Sequence, residues 1–148
     1  MKLSRESRYG LGGLAHLASQ PPGTILQAAE VAEAAGLPPL YLSKIFGRLT
    51  RHGILRSYRG KERGYGLARP ARDISAREVL EAIEGPDVFQ RCVFWSDACS
   101  DQNPCPLHDT WRTVRPMVAE LMGRVSLEEI AGAPAGTAWS EATAGGPS

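Results

Sequence analysis

The chain has 148 residues and a formal net charge of +1, with 43% hydrophobic and 22% charged residues, enough for one domain with a genuine core and an added association element. Aromatic residues are only 7%, which argues against a bulky aromatic cofactor pocket. The charged start (residues 1–8) leads into no continuous apolar run, so neither a leader peptide nor a membrane span is expected, and the setting expected is a reducing cytoplasm.

The near-neutral total conceals a division. Residues 1–72 carry twelve Lys/Arg against four Asp/Glu, a net of +8, and residues 73–148 carry five against twelve, a net of −7. A basic half beside an acidic one suits phosphate binding confined to the first. The organisation expected is a basic unit over 1–72, a second unit over 73–131, and a disordered tail over 132–148.

In chain order, residues 4–19 read as a first helix, ended by Pro21-Pro22-Gly23. Gly10, Gly12 and Gly13 argue against it, each costing ~1 kcal/mol relative to alanine. Residues 27–35 form a short Ala-rich helix closed by Gly36. Pro39 suits the first position of a third helix, which runs to His52, buries Leu42, Ile45, Phe46 and Leu49, and ends before Gly53. Runs at 54–58 and 65–68 predict a β-hairpin with the basic tip Arg59-Gly60-Lys61-Glu62-Arg63-Gly64. Ser75-x-x-Glu78 is a capping box ahead of a fourth helix stopped by Gly85-Pro86. Farther on, Leu107, Trp111, Val114, Val118, Leu121 and Val125 form a heptad-like stripe suited to helix–helix association. Pro116 inside it predicts a kink or a later helix start. Ser126-x-x-Glu129 opens a last helical turn, and the tail is poor in apolar residues.

Helix, helix, Gly turn, helix and hairpin define a winged helix-turn-helix, so the fold class expected is mainly α with a small β wing and a long C-terminal dimerisation helix. The outer face of the third helix offers Tyr41, Ser43, Lys44, Arg48 and Arg51. Tyr41, Ser43 and Lys44 lie toward its N-terminal end, where such helices meet base edges, while Arg48 and Arg51 are placed for phosphate. Arg59, Lys61 and Arg63 suit a wing laid against backbone or a narrow minor groove. Read singly, each could be a solvated surface charge. Charge, motif order and spacing together favour double-stranded DNA as the partner.

All three cysteines fall in Cys92-x6-Cys99-x5-Cys105-x2-His108, among residues that break regular structure. Soft thiolates with an imidazole suit iron–sulfur clusters or zinc, and an odd cysteine count is poor disulfide arithmetic. There is no Cys-x2-Cys pair of the zinc-finger kind. His16 and His52 read as ordinary residues. No nucleophile or phosphate-cradling loop accompanies the carboxylates Glu81, Glu84, Glu128 and Glu129, so an enzyme is not expected. The rival readings are an iron–sulfur electron carrier or cluster-delivery protein, a metal-free thiol redox sensor and a zinc-containing regulator.

The chain resembles the Rrf2 family of bacterial transcription regulators, in its cysteine-bearing, iron–sulfur-sensing branch. The matching residues are Met1-Lys2-Leu3-Ser4, Arg8-Tyr9, Tyr41-Leu42, Arg48-Leu49, Gly53-Ile54-Leu55, Arg59-Gly60 and Gly64-Tyr65. Cys105-Pro106-Leu107-His108-Asp109-x-Trp111 completes them. The resemblance implies a homodimer held by the C-terminal helix and a cluster near the dimer interface, and the helix-turn-helix together with the heptad-like stripe leads to the expectation of a palindromic operator. It implies Cys92, Cys99 and Cys105 as ligands, with His108 as fourth ligand of a [2Fe-2S] centre. Some relatives bind [4Fe-4S] through an acidic residue near the partner's first helix, where this chain has Arg8 with Glu6 nearby. The first Cys–Cys gap is longer by one residue than in some members, and Lys61-Glu62-Arg63 replaces the family's glycine run in the wing. Oxidation, nitric oxide or iron status would be the signal sensed.

Overall fold

The structure is a computed structural model and describes residues 3–91, 102, 104–133 and 139. Its elements are α1 (Arg5–Ala18), α2 (Ala28–Ala35), α3 (Pro39–Arg51), β1 (Leu55–Tyr58), β2 (Gly64–Leu67), α4 (Ala76–Glu84), α5 (His108–Arg124) and α6 (Leu127–Ala131), with a 3₁₀ turn at Ala71–Asp73. This is the winged helix-turn-helix expected from the sequence. Among the described residues, no helix is long and apolar enough to cross a membrane.

The α1 glycines do not break that helix, because two of them are points of close approach. A Cβ on Gly10 would lie 2.5 Å from Ile83 Cδ1, and one on Gly13 would lie 2.8 Å from Leu42 Cδ1. Propensity is given up so that α1 can seat against α3 and α4. The helix start is secured by Ser4, whose hydroxyl accepts from the Ser7 N–H. Ser7 is the one buried polar side chain among the described residues, and its hydroxyl donates to Glu84 at 2.7 Å.

α2 and α3 end alike. Leu37 N–H donates to Ala32 C=O and Ile54 N–H to Leu49 C=O, while Gly36 and Gly53 take φ of +70° and +75°. These are Schellman endings, in which left-handed glycine turns the chain sharply and buries the next apolar residue. Leu37 and Ile54 are both buried. The turn between α2 and α3 is therefore fixed by backbone chemistry, and α3 leaves it with Pro39 at its start.

β1 and β2 pair antiparallel, Leu55 opposite Leu67 and Tyr58 opposite Gly64. A third segment joins them that the sequence pattern does not reveal. Leu26 N–H donates to Tyr65 C=O at 3.0 Å and Tyr65 N–H to Leu26 C=O at 2.7 Å. Gly64 sits under this bridge, where a Cβ would lie 2.6 Å from Leu26 C=O. The wing is thus tied to the segment that leads into α2.

The core runs across the boundary expected at residue 72. Ile74, Val79, Ala82, Ile83 and Leu127 share one buried cluster with Leu14, Val31, Leu42, Phe46 and Leu49. Leu127 N–H donates to Ile74 C=O at 2.7 Å, so after α5 the chain returns and packs α6 on α1. Ser75 and Glu78 form the capping box expected.

The structure narrows one expectation for α5 and corrects another. The helix begins at His108, eight residues before Pro116, and runs through it, so there is no later start. A proline costs its own N–H bond, but the first turns are held independently by His108 N–H on Cys105 C=O and Trp111 N–H on Leu107 C=O. The apolar stripe also divides into two faces. Val118 packs inward with Ala119 and Met122 against Leu80, Val88 and Phe89, and the Trp111 indole N–H donates to Arg91 C=O. Leu107, Met117 and Leu121 are exposed, the latter two at 58% each. A straight helix drifts relative to a heptad repeat, so one run of apolar residues is split between a packed face and an exposed one.

Trp139 lies in the stretch expected to be disordered, yet it is half-buried and packs against the main core.

Candidate nucleic-acid interface and thiol site

The outer face of α3 carries Tyr41, Ser43, Lys44 and Arg51, all exposed. Tyr41 is positioned by an edge-on contact with the buried Tyr9, ring centroids 6.3 Å apart. Arg59, Lys61 and Arg63 are exposed at the wing tip, around Gly60 at φ +90°.

Arg48 behaves differently. It is half-buried, and its guanidinium donates to Ile83 C=O at 2.7 Å and meets Glu6 at 3.4 Å. It therefore braces α3 against α4 and α1 in the described conformation, in place of the free phosphate-facing pose expected. A sequence pattern gives the side of a helix on which a residue lies, but a long arginine at the edge of that side can turn either way.

Two residues on the same face escaped the sequence reading. Leu40, at the second position of α3, is 81% exposed, the most exposed large apolar side chain among the described residues. Gly47 lies mid-helix, and a Cβ there would have nothing within 4 Å. Internal packing explains neither residue. A glycine at mid-helix, in step with Ser43, Lys44 and Arg51, was the available signal.

Of the predicted metal ligands, Cys92 and Cys99 lie outside the described residues. Cys105 is buried, and His108 is the half-buried first residue of α5, with its N–H on Cys105 C=O at 3.0 Å. The other end of the cysteine segment is fastened to the same helix. Arg91, which immediately precedes Cys92, accepts from Trp111, and Arg115 donates to Gln90 C=O. Arg91 also donates to Glu84 C=O and to Asp87 at 2.7 Å. That hydrogen bond holds the Asp87 carboxyl below the usual range and raises Arg91. Both ends of the segment thus meet the first half of α5.

A family model described as "Rrf2: Iron-dependent Transcriptional regulator" matches residues 3–133. The chain belongs to the Rrf2 family. As an Rrf2 protein it is a DNA-binding transcriptional regulator, and its relatives are named as regulators, not enzymes. It is 33% identical to Rv1287 of Mycobacterium tuberculosis over 132 residues, covering 89% of this chain and 82% of that protein. It is 29% identical over 130 residues to the HTH-type transcriptional regulator IscR of Xenorhabdus nematophila, covering 88% of this chain and 79% of IscR. Among solved structures it is similar to the oxidized form of Staphylococcus aureus CymR, with TM-score 0.70 and 28% identity, covering 90% of this chain and 98% of CymR.

Proposed function

We propose that this Rrf2 protein is a homodimeric regulator, most simply a repressor, whose affinity for a palindromic operator is set by an iron–sulfur cluster on Cys92, Cys99, Cys105 and His108. The observation that carries the reading is the convergence on α5. Cys105 lies just ahead of its first residue, His108, and Arg91, the neighbour of Cys92, accepts from Trp111, its fourth. The N-terminal end of a helix carries positive partial charge, which suits anionic sulfur ligands. Three thiolates and one imidazole supply the four ligands of a [2Fe-2S] centre, and the same set also matches a tetrahedral zinc site, so ligand count alone does not choose between them. The family description as iron-dependent supports iron over zinc. When bound, the cluster would supply one-electron redox chemistry and a reactive target for oxidants.

The chain's own residues would do the rest. Leu107, Met117 and Leu121 give α5 an exposed apolar seam for a second copy, and a two-fold dimer presents two α3 helices to two half-sites. In each half-site, Tyr41, Ser43 and Lys44 would read base edges, with Leu40 placed for a thymine methyl. Arg51, Arg59, Lys61 and Arg63 would hold phosphate or line the minor groove. Because Trp111 bonds the start of the cysteine segment to the helix that carries the seam, a change of ligation would be felt where the subunits meet.

Anaerobic purification with visible absorption and assay of iron and acid-labile sulfide tests the cofactor. Wild type should absorb broadly in the visible, and Cys105→Ala should lose that absorption. A colourless protein with stoichiometric zinc, or with neither metal nor sulfide, would replace the cluster with a zinc or thiol-only regulator. The thiol-only reading has some support in the likeness to CymR, a protein solved in an oxidized form.

A further inference from the structure

We propose that Trp139 docks in cis on the DNA-binding domain, as an anchor at a groove between α1, α2 and α6. The groove is lined by Gly12, Ala15, His16, Ala34, Ala35 and Ile130, and Trp139 closes it. The small side chains of Gly12, Ala15, Ala34 and Ala35 leave room for the flat indole to form one wall of this groove, beside His16.

Gly12 is the specific sign. A Cβ on it would lie 2.6 Å from Trp139 Cβ and 2.7 Å from Cγ, and all three nearest atoms belong to Trp139. Gly12 is not among the residues with positive φ, so the backbone does not require glycine there. A glycine inside a helix costs stability relative to alanine. At Gly10 and Gly13 that cost is matched by close packing on Ile83, Leu42 and Phe46, whereas at Gly12 the nearest atoms all belong to Trp139. Trp139 follows Ala133 by six positions, a reach of up to about 20 Å, so the same subunit can supply it. Since α1 packs on α3 through its other faces, a seated indole braces the helix that backs the recognition helix.

The test is a double-mutant cycle on the full chain, read as thermal unfolding, with the thiols and metal in the same state in all four proteins. Trp139→Ala should lower the midpoint. Gly12→Ala should raise it by about 2–4 °C in the Trp139→Ala background, where the groove is vacant and only helix propensity acts. In the native background the same Gly12→Ala change should lower the midpoint, because the new methyl meets the indole. Equal shifts of the same sign in both backgrounds would overturn the proposal. Coupling that disappears on dilution to monomer would assign the indole to the partner subunit and overturn docking in cis.

Discussion

Gly13 and Gly47 are both helix-interior glycines, and they should respond oppositely to alanine. At Gly13 a methyl would meet Leu42 Cδ1 at 2.8 Å and Phe46 Cε1 at 3.0 Å, so Gly13→Ala should destabilise by about 1–3 kcal/mol despite better helix propensity. At Gly47 a methyl meets nothing, so Gly47→Ala should stabilise by up to ~1 kcal/mol in denaturant titration. The same substitution should weaken operator binding, because it thickens the helix face that enters the groove. Unchanged binding would make Gly47 an ordinary surface residue. Glu78 gives a pH test. Burial pushes its carboxyl up, but the Ser75 N–H and Arg69 outweigh that and hold it below its ordinary value. A carboxyl depressed in the folded state stabilises above its unfolded pKa, and that contribution is lost as pH falls through the folded one. Glu78→Gln should therefore narrow the stability difference between neutral pH and the acid range below ordinary glutamate titration. A parallel shift at all pH values would contradict this.

At the scale of elements, the wing and the recognition helix hold arginines of different kinds. Arg59 is exposed at the wing tip, so Arg59→Ala should reduce the slope of log affinity against log salt by about 1 if it meets phosphate. Arg48 is spent on Ile83 C=O and Glu6, so Arg48→Ala should lower thermal stability and leave that slope unchanged. A reversed pattern would mean that Arg48 swings out on DNA. On α5, Leu121→Arg should shift the protein to monomer in sedimentation velocity, whereas the neighbouring Val118→Ala should loosen the fold instead, because Val118 packs on Leu80 and Phe89. Much of this architecture was legible in advance. The helix ends at Gly36 and Gly53, the Ser75 capping box and the basic wing each have a local chemical cause within a few residues. What was not legible depends on distant partners. Leu26 reaches Tyr65 across 39 positions, Gly10 meets Ile83 across 73, and no local periodicity carries such pairings. In the site, exposure of Tyr41, Ser43, Lys44 and Arg51 followed from the helix period, while the inward turn of Arg48 depended on a carbonyl on another helix.

Over the whole molecule, the charge division and the packing point in different directions. The basic surface belongs to residues 1–72, but Ile74, Ile83 and Leu127 complete the core beneath it, so the acidic half is built into the fold of the basic one. That continuity joins Arg91, the residue before the cysteine segment, to α3 by hydrogen bonds: Arg91 to α4 through Glu84, and α4 to α1 and α3 through Ser7 and Arg48. A regulatory switch needs one state of the site to bind DNA more tightly than another, by a coupling free energy of RT times the logarithm of the ratio of affinities. The central claim is therefore tested by anaerobic titration of one selected operator with cluster-loaded, oxidised and cluster-free protein, each verified by iron and sulfide content. Operator affinity should differ by about 5-fold or more between states in wild type, the lower end of ordinary coupling, and the difference should vanish in Cys99→Ala. Equal affinity in all three states, with the cluster shown to be present and then removed, would contradict it.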